Sequence, residues 1–268
     1  MGILIQIIGA AIAAVFAPGW AIASEAQVDV DANLVTALDT SFSVGRYEEF
    51  VEREGLAHAL IHPQFLEAVR SGPQKRIGFA VFTWSSHGNA KTLVPWTTIA
   101  TPEDAAQVSQ YLLSTGLIEE AQLLDRDIPI DHYEAPKDHL TDIALAIHTA
   151  STILESAHFS SRRSVINIVG NGPSNSGINP TRARDAALDA MYVVNGLVVG
   201  FGLDRDVEYY RTHVIGGPGS FVMQVSNPQE MTDAFLAKFR LDIAGLSDAT
   251  FSDERFLTAY TSANQPDH

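Results

Sequence analysis

Short apolar runs rich in β-branched and aromatic residues recur along this chain, separated by segments of helical periodicity, and this alternation sets what it can fold into. Leu34–Leu38, Ile77–Trp84, Thr92–Ile99, Val165–Val169, Val194–Val199 and Phe221–Val225 read as six strands. Strands that alternate with helices predict an α/β fold: a doubly wound, mostly parallel six-stranded sheet with helices on both faces. One pair departs from the parallel pattern. The turn Ser86-His87-Gly88-Asn89 is short enough to make Ile77–Trp84 and Thr92–Ile99 an antiparallel hairpin. Pro95 puts the second of these at a sheet edge, because proline has no amide proton for a ladder.

The helical segments carry start and stop signals. Val44 to Ile61 places Tyr47, Phe50, Val51, Ala57 and Leu60 at near-helical spacing, with Glu48, Glu49, Glu52 and Arg53 on the other side. Pro63 breaks that helix, which continues briefly to Arg70. Thr101-Pro102-Glu103-Asp104 opens the next, running to about Leu113, and residues 116–136 read as an acidic loop insertion. Asp138 is placed to cap a long helix with an apolar face from Leu140 to Ala157. Pro180–Met191 and Val207–His213 follow, and Asn227-Pro228-Gln229-Glu230 starts a last helix with the stripe Met231, Phe235, Phe239 and Ile243.

Residues 1–23 hold no charged side chain and end in Pro18 and Ala21-Ile22-Ala23, which predicts a signal peptide cleaved after Ala23 or Ala26. The expected location is therefore periplasmic or secreted, with membrane attachment only if the segment stays uncleaved as an anchor. A single domain is expected over residues 27–246 and a polar tail over 247–268. The formal charge of −15 disfavours nucleic acid and anionic membrane surfaces as partners. Cysteine is absent, which excludes disulfides, thiolate metal sites and cysteine nucleophiles.

Asp39-Thr40-Ser41-Phe42-Ser43 stands where the first strand ends. A carboxylate and two hydroxyls leaving a strand end suit a small hard cation, which takes oxygen ligands. In open α/β sheets, sites form beyond the carboxyl ends of strands where the winding reverses, and the loop after the first strand is usually there. The same residues would serve a plain strand-to-helix turn, with Ser and Asp as caps. Gly170, Gly172 and Gly177 miss the dinucleotide fingerprint, and the histidines lack a His-x-x-x-His metal pair with a catalytic Glu.

The element order, with an Asp-x-Ser-x-Ser loop after the first strand and an antiparallel third strand, resembles the von Willebrand factor type A domain. The chain also resembles an uncharacterised bacterial family of exported proteins with that fold. This match is carried by Ser71-Gly72-Pro73 before Arg76-Ile77, by Val94-Pro95-Trp96-Thr97, by Val165-Ile166 leading to Gly170-Asn171-Gly172-Pro173-Ser174-Asn175, and by Tyr209-Tyr210-Arg211-Thr212-His213-Val214-Ile215-Gly216-Gly217-Pro218-Gly219-Ser220-Phe221. The resemblance implies a metal-ion-dependent adhesion site. Asp39 would hold the ion mainly through water, Ser41 and Ser43 would bind it directly, and Thr141 matches the second-loop threonine. The third-loop aspartate position falls on Asn171, which keeps an oxygen and loses a charge. Asp138 or Asp142 could restore that charge. A divalent cation is implied, Mg²⁺ first, with Mn²⁺ or Ca²⁺ as alternatives.

Three functional classes follow. The first is a non-catalytic protein-binding module whose ion accepts an acidic side chain from an unknown protein partner. The second is a metal-free scaffold of the same fold, in which Asn171 marks a decayed site. The third is a cation-assisted hydrolase or phosphoryl-transfer enzyme using Asp39 as nucleophile, although no second acid stands two residues on.

Overall fold

The protein is described by a computed structural model covering residues 27–124, 139–200, 204–245 and 257–260. The expected leader, Asp138 and the rest of the expected tail lie outside these residues. The strands are β1 (Val28–Asp29), β2 (Asn33–Asp39), β3 (Ile77–Trp84), β4 (Ala90–Ile99), β5 (Phe159–Ser160), β6 (Ser164–Gly170), β7 (Val193–Val199), β8 (Phe221–Val225) and β9 (Leu257–Tyr260). Between them lie α1 (Arg46–Leu60), α2 (Pro63–Ser71), α3 (Pro102–Leu124), α4 (Ile143–Glu155), α5 (Pro180–Asp189), α6 (Asp204–Tyr209) and α7 (Met231–Ala244). A π-helical turn over Tyr210–Val214 extends α6, and a 3-10 turn over Pro228–Glu230 leads into α7.

The main sheet runs β4-β3-β2-β6-β7-β8-β9. From β3 to β8 every pairing is parallel. Chain order moves from β2 outward to β3 and then returns to β6 on the other side, so the winding reverses at β2. This puts the ends of β2 and β6 side by side at the switch point. β4 lies antiparallel to β3 at one edge, and its register slips between Phe79 and Val81, opposite the segment that holds Pro95. The missing proline amide is thus absorbed by an irregular edge strand.

The six expected strands are present, and β9 is added to them. Leu257–Tyr260, assigned above to a polar tail, pairs antiparallel with β8. The run is too short to stand out from its polar surroundings, and the open edge of β8 gives it hydrogen-bond partners. Two-residue strands β1 and β5 form a separate parallel ribbon.

Helices α1, α2, α3 and α7 bury Leu56, Phe65, Ala105 and Phe239 on one face of the sheet. On the other, Ile147 of α4, Ala187 of α5 and Tyr210 pack against Ile168 and Val198. Three helix expectations need correction. In α1, Glu52 and Arg53 are buried whereas Tyr47 and Phe50 are exposed. The helix phase is set by its second half, where Gly55 lies so close to Met231 that a Cβ would fall 2.4 Å from the Met231 side chain. Leu56, Ala59 and Leu60 then face inward and carry Glu52 with them, one helical turn earlier. α3 continues to Leu124 rather than ending near Leu113, since no proline interrupts it. α4 starts at Ile143, capped by Asp142, whose Oδ1 accepts from Leu145 N at 3.0 Å, and not by Asp138.

Candidate metal centre

β2 delivers the first group. Alternation along the strand points Leu34 and Leu38 to the α1 side and Val35 and Ala37 to the α4 side. Asp39 ends the strand fully buried. The chain then turns, and Ser41 N donates to Asp39 Oδ1 at 2.7 Å, the Asx geometry that the Asp-x-Ser spacing favours. Ser41 is buried and Ser43 is exposed, so the loop rises from the core to the surface.

The second loop approaches from residues 139–142. Phe42 N donates to His139 O at 2.7 Å, and Leu140 N donates to Ser86 Oγ at 2.8 Å. Thr141 is thereby held ahead of α4, buried, with its Oγ1 donating to Ser41 Oγ at 3.1 Å. The third loop follows β6. Ser43 Oγ donates to Asn171 Oδ1 at 2.9 Å, while Asn171 Nδ2 donates to Ser43 O at 2.8 Å. Ser41 Oγ and Ser43 Oγ share a contact of 3.1 Å. All five residues singled out by sequence, Asp39, Ser41, Ser43, Thr141 and Asn171, therefore meet in one connected cluster.

Two residues that sequence reasoning quoted but gave no role hold this cluster in place. Asn175 Oδ1 accepts from Thr141 N at 2.8 Å, and Ser174 Oγ donates to Thr141 O at 3.1 Å, so the third loop grips the main chain of the second. Gly177, with φ of +74°, lies against Asp142, where any Cβ would collide with the carboxylate. Asp142 itself is turned to the end of α4 and stands outside the cluster.

The electrostatics are those of a carboxylate short of donors. Asp39 Oδ2 is buried and has no protein hydrogen-bond partner among the described residues. Burial pushes the Asp39 carboxyl up from 3.8 to about 7, with the Ser41 hydrogen bonds pulling the other way. Glu52 is a second buried acid, missed by sequence because it sits in a charged stretch of α1. Both its oxygens lack a protein partner among the described residues. Its carboxyl is raised by burial first and by the charges of Asp39, Glu49 and Glu48 after that. Tyr210, the third buried polar group here, is raised by burial and by the same two acids.

The donor set fits a hard cation: a buried carboxylate beside three hydroxyls and an amide oxygen. It is poor in charge, with Asp39 as the one formal anion among the five. No group of three or more His, Cys, Asp or Glu that could hold a metal occurs among the described residues. His-rich or multi-carboxylate chemistry is therefore not what those residues provide.

The fold is that of a von Willebrand factor A-like domain. The chain belongs to the family described as protein of unknown function (DUF1194), whose model matches residues 29–247. Among solved structures it is similar to proximal thread matrix protein 1 from the mussel byssus with a zinc-occupied MIDAS motif, at 17% identity and TM-score 0.52, covering 81% of this chain and 49% of that one. It is similar too to a von Willebrand factor type A protein from Catenulispora acidiphila, at 11% identity and TM-score 0.52, over 81% of this chain and 43% of the other. A third is the pilus adhesin SpaC from Lactobacillus rhamnosus GG, at 9% identity and TM-score 0.52, over 80% and 31%. The chain thus spans about half or less of each neighbour's length, and identities this low establish the fold alone. No curated protein matches the chain.

Proposed function

We propose that this chain is a non-catalytic protein-binding module whose cation site, an adhesion-type centre of modest affinity, captures an acidic side chain of a protein partner. The observation that carries this reading is the convergence of Asp39, Ser41, Ser43, Thr141 and Asn171 from three loops at the sheet's switch point. A cation at these oxygens explains how a domain of net charge −15 attracts a carboxylate. Mg²⁺ is the first candidate, with Mn²⁺ and Ca²⁺ behind it; the zinc-occupied motif of the mussel protein supports a divalent ion in this fold. Phe42, 40% exposed between the two serines, offers the partner an apolar contact beside the ion. An apolar residue 1–23 leader supports a periplasmic or secreted setting.

The test is a titration of melting temperature with Mg²⁺, Mn²⁺ and Ca²⁺ on the natural sequence, Asn171→Asp and Asp39→Ala. Ligand that binds the native state raises its stability. A rise in the natural protein, a larger one in Asn171→Asp and none in Asp39→Ala is expected. No rise in either of the first two would sink the cation reading.

A second reading, the metal-free scaffold, is favoured by one observation. Ser41, Ser43, Thr141 and Asn171 satisfy one another through their own hydrogen bonds, leaving Asp39 Oδ2 as the cluster's orphan. Under that reading Asn171→Asp, too, shows no cation response.

A further inference from the structure

Behind the proposed ligands stands a buried phenol that no ligand role explains. Tyr210 is fully buried at the start of the π-helical turn, and its hydroxyl has no protein hydrogen-bond partner among the described residues. Asp39 Oδ2 is in the same condition. The two orphans adjoin at Gly170, where a Cβ would lie 2.8 Å from the Tyr210 hydroxyl and 3.1 Å from Asp39 Oδ2. They are therefore within about 6 Å of each other, the reach of a direct hydrogen bond after a small rotation or of one bridging water.

The slot that brings the phenol there is built from absences. Gly170 on β6 and Gly196 on β7 both lie under Tyr210, and a Cβ at Gly196 would fall 2.7 Å from Tyr210 Cδ1. A side chain at either glycine would have to displace the ring. The π-helical turn adds a second cost, since such turns are rare, disrupt the regular ladder and concentrate at functional sites. Two glycines and an irregular turn thus bring a hydroxyl to within about 6 Å of the one carboxylate oxygen in the cluster that needs a donor.

We propose that Tyr210 is the positioning residue of this site, its phenol donating to Asp39 Oδ2. Both carboxylate oxygens are then fixed, Oδ1 by Ser41 N and Oδ2 by the phenol, beside the linked hydroxyls of Ser41, Ser43 and Thr141. The functional consequence rests on the cation reading above. The pairing itself does not, and the experiment separates the two.

In chelator, a double-mutant cycle of Asp39→Asn, Tyr210→Phe and the double variant reads the pair alone. The melting-temperature changes should be non-additive, the second substitution having little left to remove. Additive changes would overturn the pairing whatever the cation does. In Mg²⁺, Tyr210→Phe should raise the midpoint of stabilisation roughly tenfold, the scale of one hydrogen bond to a charged group. An unchanged midpoint beside a responding natural protein would overturn the positioning role. A natural protein that ignores every cation would instead overturn the cation reading and leave the cycle to decide the pair. Should Tyr210→Phe fail to fold, the tyrosine ultraviolet difference spectrum of the natural protein against Asp39→Asn serves in its place. A band is expected, and a flat spectrum would refute the contact.

Discussion

Asp39 does two jobs that conflict. Its position at the end of a buried strand fixes Ser41, and the same burial makes its charge expensive. The consequence is a defined pH dependence. The folded carboxyl titrates near 7 and the unfolded one near 3.8, so the folded state holds the extra proton between them. This part of the stability is complete below pH 4 and is lost as pH rises through 7, by about 4 kcal/mol in all. Urea unfolding in chelator should therefore show stability falling over this interval, and Asp39→Asn should flatten the fall. Glu52 is raised in the same direction, in part by the Asp39 charge, so the variant keeps a smaller residual slope and the difference reports Asp39 together with its coupling to Glu52. An equal slope in both proteins would show that Asp39 is not buried as described.

At the scale of elements, α7 is the least obvious from sequence. Its expected stripe of Met231, Phe235, Phe239 and Ile243 is buried, but Lys238 and Asp242 are buried too. Asp242 accepts from Asn167 Nδ2 and Asn195 Nδ2, each at 2.8 Å, on β6 and β7, and Lys238 Nζ lies 3.5 Å from Asp242 Oδ1. Lys238 also sits 4.6 Å over the Phe221 ring, and burial brings its amine down to about 8. Asn195 Oδ1 completes the tie by accepting from Phe221 N on β8 at 3.0 Å. Asp242→Ala strips the acceptor from two amides and an ammonium at once. It should cost about 3–5 kcal/mol in urea unfolding. Lys238→Met leaves both amide bonds in place and should cost less. The reverse order would mean that the ion pair, and not the amide network, docks α7.

For the whole molecule, the edges matter most. β4 protects one side of the sheet with Pro95 and a slipped register, and β9 covers β8 on the other. A chain ending at Gly245 keeps both core layers but uncovers the hydrogen-bonding edge of β8. Such a chain should fold and self-associate more than the full chain, as read by light scattering after size-exclusion chromatography. Equal masses for the two would show that β9 does not protect the edge. No helix among the described residues is long and apolar enough to cross a membrane.

The order of strands and helices, the edge position of β4 and the oxygen residues Asp39, Ser41 and Ser43 of the first loop were legible in the sequence. Each depends on local signals: apolar runs, a proline inside one of them, and an Asp-x-Ser-x-Ser turn at a strand end. Thr141 and Asn171 became readable only beside a fold resemblance, because a single threonine or a Gly-Asn-Gly turn specifies nothing by itself. Tertiary structure alone decided the rest. It turned Glu52 inward because the phase of α1 is fixed by Gly55 packing on Met231. It brought the Tyr210 hydroxyl to within about 6 Å of Asp39 Oδ2 over glycines from two strands. It also joined Lys238 and Asp242 to Asn167 and Asn195, more than forty residues away in the chain. Periodicity shows which side of a helix is apolar. Which polar groups are shut in depends on what packs against that helix, and that is set by contacts distant in sequence.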